Sequence, residues 1–88
     1  MTLVRLAADA LRAAGAREIY LFGSVAEGKW REDSDVDLAV TGLPPAVFYR
    51  SMSRASDILR RSVDLLDLDD PNPFTEYLLR KGKLQRVA

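Results

Sequence analysis

Residues Asp35 to Val40, DVDLAV, alternate without interruption, with Asp35, Asp37 and Ala39 on one side and Val36, Leu38 and Val40 on the other. Such a segment is a β-strand whose valine and leucine face meets a core while its aspartate face looks outward. Neighbouring segments say what kind of sheet the strand joins. Glu18 to Phe22 (EIYLF) is short, apolar and aromatic, and reads as a buried strand. Only a polar loop, GSVAEGKWREDS, separates the two, so they are expected to pair as an antiparallel hairpin. Gly42 and the pair Pro44-Pro45 end the alternating strand and open a helix, where Phe48, Met52, Ala55 and Leu59 form an apolar stripe. Ser62 to Leu68 (SVDLLDL) is a third strand. A helix between two strands favours a parallel, right-handed crossover.

The ends supply two more helices. Leu3, Leu6, Ala7, Ala10, Leu11 and Ala14 recur at helical spacing over 3–14, with Thr2 as N-cap and Gly15 as stop. The run DDPNP caps a last helix over Phe74 to Lys81, which Gly82 closes. The 88 residues are too few for two independent cores, so one domain over 1–88 is expected. The fold class is α+β, α/β-like, in the order α-β-β-α-β-α: a small mixed sheet with helices on one face.

Composition removes several chemistries. There is no cysteine and no histidine, which excludes disulfides, thiolate nucleophiles, His-based triads and His-rich zinc sites. A metal here must sit on oxygen, which points to magnesium, manganese or calcium. Thirteen basic residues balance thirteen acidic ones, so no net field draws the chain to nucleic acid or membrane. The basic run Arg80, Lys81, Lys83 and Arg86 lacks interleaved aromatics and reads as a solvated face. The N-terminal stretch carries arginines and an aspartate, unlike a signal peptide or a membrane span, and a cytoplasmic protein is expected.

The topology concentrates the acids. Asp35 and Asp37 lie opposite the Val-Leu-Val face, and Val63 and Leu65 facing the core would put Asp64 on the same open side. Asp67 would share the core side with Val63 and Leu65, and Asp69 lies past the strand. In parallel strands the early residues of both reach one sheet edge, and the Gly23-Ser24 turn arrives there from the antiparallel strand. Three carboxylates on one face repel unless cations neutralise them. Two divalent ions about 3.5–4 Å apart are the arrangement that in-line phosphoryl chemistry uses. The turn's N–H groups and the Ser24 hydroxyl suit a nucleotide's terminal phosphates. Lys29 and Arg31, which flank Trp30 in the long loop, are candidate phosphate contacts, the alternative being a solvated loop with one packed aromatic.

Gly23-Ser24, ten residues, then Asp35-Val36-Asp37, with Asp64 as third acid, resembles the signature of the DNA polymerase beta-like nucleotidyltransferase superfamily. The loop SVAEGKWREDSD, with Gly28 inside it and Ser34 before the aspartate, resembles the minimal nucleotidyltransferase (MNT) branch. The likeness runs from about Leu3 to Leu84. It implies the nucleotidyltransferase fold and transfer of a nucleoside monophosphate, AMP from ATP, to a hydroxyl with release of pyrophosphate. It also implies two Mg2+ ions, with Mn2+ as a substitute, held by Asp35, Asp37 and Asp64, and a small helical HEPN protein as partner, toxin to this antitoxin. The extra domains by which larger relatives bind acceptors are missing, so the acceptor's identity does not carry over. Self-association stays open.

Two decoys fail. GSVAEGK follows the P-loop pattern until its last position, where Trp30 offers no hydroxyl and no helix is expected to open. Asp33, Asp35 and Asp37 imitate an EF-hand, but Leu38 replaces its glycine and Pro44 its last glutamate. The competing functional reading is a catalytically idle module that neutralises a partner by covering it. Retention of Asp35, Asp37 and Asp64 argues for the enzyme.

Overall fold

A computed structural model describes residues 2–26, 28 and 35–87, and the side chains of all of these but Thr2, Ser24 and Val25. The order of elements is α1 (Thr2–Ala13), β1 (Glu18–Phe22), a single turn α2 (Gly23–Ala26), β2 (Val36–Thr41), a 3-10 turn (Pro45–Val47), α3 (Phe48–Leu59), β3 (Val63–Asp67), α4 (Pro73–Lys81) and a short β4 (Gln85–Arg86). The expected order is present, with α2 and β4 added. Among the described residues no helix is long and apolar enough to cross a membrane.

The sheet has the order β3-β2-β1-β4. β1 and β2 are antiparallel and β2 and β3 parallel, as the connections demand. Val36, Leu38 and Val40 pack with Ile19, Leu21 and Val63 in one core beneath α1 and α3. The buried stripe of α1 is Val4, Ala7, Ala8 and Leu11, whereas Leu3 and Leu6 remain 46% and 49% exposed. The expected stripe was thus turned by about one residue. Ala7 and Ala8 sit in the same core as Ala55 of α3, and such small side chains let two helices approach closely. That favours this face of α1 over the bulkier leucine face.

The second face of the sheet is not wholly open. Phe22, Ala39 and Leu68 form a smaller core there with Leu78 of α4. α1 and α3 cover one face, as expected; α4 caps a strip of the other. Its start is set by Asn72, whose side chain accepts a hydrogen bond from the Thr75 backbone N–H at 3.0 Å, with Pro73 at the first position. Gly82 ends it in a left-handed conformation. The chain then folds back and β4 pairs antiparallel to β1. The Val87 N–H donates to Ile19 at 2.8 Å, and Arg86 pairs with Glu18 at 3.3 Å. Arg86 therefore lies on an edge strand, where its side chain remains exposed, as the sequence suggested, and pairs with Glu18.

Candidate active site

Strand register builds the site. Phe22 on β1 stands opposite Asp37 on β2, and Asp37 opposite Asp64 on β3, so one row across the sheet reads Phe22, Asp37, Asp64. The next row reads Tyr20, Ala39, Leu66, and its apolar side chains lie in the smaller core with Leu78. α4 therefore seals the second row and leaves the acid row at the edge. Asp64 and Asp35 are exposed and Asp37 is half-buried.

Crowding raises the pKa of Asp37 above 3.8, first through partial burial, then through the charge and hydrogen bond of Asp64, then through the charge of Asp35. Asp37 and Asp64, neighbours in strand register, thus interact, and the charge of Asp35 reaches Asp37 from the flank. Among the described residues no three acids are gathered closely enough to hold a metal ion as they stand. The expected convergence of three carboxylates is a neighbouring pair with a third beside it. An open pair of hard oxygen donors still matches the chemistry of Mg2+ or Mn2+, which keep waters and complete their shells with substrate phosphates. Repulsion within the pair is what a cation would relieve.

Gly23 lies against this pair. Its φ is +77°, and a Cβ built there would overlap the Oδ2 of Asp37. Glycine is required on both counts. The turn was expected to be loop, with no helix opening; instead one helical turn begins at Gly23. It is only four residues long, and Trp30 still denies the P-loop its hydroxyl. The backbone of Ser24 belongs to that turn, and its side chain is not described. Lys29 and Arg31 lie outside the described residues.

The competing acids have other work. Asp67 accepts a hydrogen bond from the Asp69 N–H at 2.9 Å, and Asp69 accepts one from the Gly42 N–H at 2.6 Å. Both hold the turns behind β2 and β3, away from the acid row. Three lining residues were not anticipated. A groove of about 620 Å³ runs from Asp37 and Asp64 to α4, and Phe74, Tyr77 and Lys83 line it. Lys83 is exposed, as expected of a solvated face, and lines the groove as well. The left-handed Gly82 turns the chain, and the Lys83 N–H reaches back to Leu78 at 3.3 Å. The helix-ending glycine was the signal that the next residue would be redirected.

A profile of the family described as polymerase beta, nucleotidyltransferase, matches residues 11–84. The chain belongs to this nucleotidyltransferase family. The match takes in the Gly23 turn, Asp37 on β2, Asp35 just before it, and Asp64. This nucleotidyltransferase is similar to a solved structure described as a candidate minimal nucleotidyltransferase, with TM-score 0.76 and 26% identity over 99% of this chain and 89% of that one. A toxin–antitoxin structure with AMP-PNP superposes with TM-score 0.77 at 23% identity, over 98% of this chain and 72% of that one. A tri-AMPylated Shewanella oneidensis HEPN toxin in complex with an MNT antitoxin gives TM-score 0.70 at 22% identity, over 97% and 68%. The last two likenesses bear on the fold. A sequence search of curated proteins gave no match.

Proposed function

We propose that this chain is a metal-dependent adenylyltransferase that moves AMP from ATP onto a hydroxyl of a HEPN-type partner protein, as the antitoxin of the pair. The observation that carries the reading is the Asp37–Asp64 pair, side by side in register and lining one groove with Gly23, where a Cβ would overlap Asp37, within a nucleotidyltransferase family domain. The tri-AMPylated HEPN toxin seen with an MNT antitoxin supports the partner and the product, and the AMP-PNP structure supports the nucleotide.

In this reading Asp35, Asp37 and Asp64 hold two Mg2+ or Mn2+ ions, which would neutralise the triphosphate and lower the pKa of the acceptor hydroxyl. Asp35 and Asp37 serve the nucleotide side, and Asp64, exposed on the edge strand β3, serves the acceptor side. Gly23 and Ser24 receive the terminal phosphates, joined by Lys29 or Arg31. The acceptor oxygen attacks the α-phosphorus in line, the bond from that phosphorus to the bridging oxygen breaks, pyrophosphate leaves, and the hydroxyl proton passes to solvent. Positioning and charge neutralisation do the catalysis, and no protein nucleophile is needed.

The test is intact mass. The chain is incubated with Mg2+, ATP and the product of the neighbouring gene. Partner mass should rise by one or more adenylyl units, and should not rise with Asp35→Asn. Tight binding with no mass change under any metal or nucleotide would replace this reading with the covering antitoxin.

A further inference from the structure

The groove has two unlike ends. Asp37 and Asp64 line the acidic one; Phe74 and Tyr77, on successive turns of α4, line the apolar one beside it. Phe74 is 51% exposed and Tyr77 42%. A single exposed aromatic is ordinary; two on one side of a helix, both lining the groove that holds the acid pair, form a patch with a use. Phe74 is also held in place. Its ring meets Phe22 edge to face, with centroids 6.1 Å apart and planes at 63°. Phe22 is buried and stands opposite Asp37 in register. The capped start of α4 fixes the backbone at the same point. The ring is thus tied to the acid row from below, while half of it faces the groove.

We infer that Phe74 and Tyr77 are the platform on which the nucleobase of the substrate stacks, an inference that rests on the nucleotidyltransferase reading. A nucleotide has a matching division, a triphosphate that divalent cations would bridge to the acid pair and a flat apolar base. The volume of about 620 Å³ falls within the roughly 300–1,000 Å³ usual for small-molecule sites. The platform also sets specificity. Among the described side chains that line the groove beside the acids, only the Tyr77 hydroxyl and the Lys83 ammonium are polar. Stacking reads ring area and not edge pattern. The site therefore prefers purines to pyrimidines and separates ATP from GTP poorly.

Calorimetry of the full chain with Mg2+ tests this with ATP, GTP, UTP and inorganic tripolyphosphate as probes. ATP and GTP should bind within about threefold of each other, and UTP about tenfold more weakly. Phe74→Leu keeps apolar volume against Phe22 but loses the ring. It should weaken ATP about tenfold and leave tripolyphosphate unchanged, as should Tyr77→Leu, while Phe74→Trp should match or exceed the original affinity for ATP. If both leucine variants bind ATP normally while Asp37→Asn loses it, the enzyme reading stands and the platform is wrong. Equal affinity for UTP and ATP, or parallel loss of ATP and tripolyphosphate in Phe74→Leu, also overturns the platform. A wild-type protein that binds neither nucleotide nor tripolyphosphate overturns both readings.

Discussion

Gly23→Ala adds one methyl group at the point where backbone and site meet. Two costs follow from its position. The residue has φ +77°, and a left-handed conformation costs a non-glycine residue about 1–2 kcal/mol. The new Cβ would also overlap Oδ2 of Asp37 and lie 3.2 Å from its Cγ. Asp37 is half-buried beside Asp64, so it has little room to withdraw, and overpacking of this kind costs about 1–3 kcal/mol. The sum is about 2–5 kcal/mol, and each kcal/mol lowers the Tm of a domain this size by roughly 4–8 °C. The variant should therefore melt at least about 8 °C lower and should lose transfer, because the carboxylate is displaced. Asp37→Ala removes the obstructing group. In that background Gly23→Ala should cost only the backbone part, about 1–2 kcal/mol. Urea unfolding of the four proteins of this cycle, followed by circular dichroism, measures the coupling. Costs that add within about 0.5 kcal/mol, the usual result for independent sites, would refute the close approach of Gly23 to Asp37.

Asp37→Asn should abolish transfer and raise Tm. The raised pKa of Asp37 means that the folded protein holds this proton more tightly than the unfolded chain, so stability falls as pH climbs from 3.8 through the raised value. The variant's advantage should be present at pH 7 and absent below that window; a melting series against pH checks it. Asp64→Asn should remove chemistry yet keep metal-dependent ATP binding, and Asp67→Asn should keep both, since Asp67 serves a turn. Inactive Asp67→Asn beside active Asp64→Asn would reverse the facing argument. Thr75 is 2% exposed and its hydroxyl has no hydrogen-bond partner among the described residues, so Thr75→Val should stabilise by about 1 kcal/mol, read as a rise in urea midpoint. No gain would mean that the hydroxyl is satisfied in solution.

The acid row was legible because alternation fixes both faces of a strand: once Val36, Leu38 and Val40 point inward, Asp37 cannot. The same reasoning placed Asp64 and set aside Asp67. It failed for Ala39, which shares the aspartate face and was read as open. Ala39 is fully buried under Leu78 of α4, and alternation says which way a residue points but not what comes to cover it. β4 is two residues long, too short for any periodicity to register. On α1 the leucines were bulkier than the alanines, yet close packing against α3 chose the smaller side chains. The aromatic wall escaped notice because Phe74 and Tyr77 looked like ordinary helix residues until α4 was placed beside Asp37.

β3 lies at the border of the sheet, with one flank of its backbone unpaired by any strand among the described residues. An uncovered border of this kind invites another chain to add itself, and charges on it discourage that. Asp64 and Asp67 are the charges β3 carries. The carboxylate assigned to chemistry thus also works as a guard against self-adhesion, and Asp64→Asn, the natural inactive control, removes half of that guard. Such a sample should grow turbid at concentrations where the parent stays clear, and light scattering should accompany any assay that uses it.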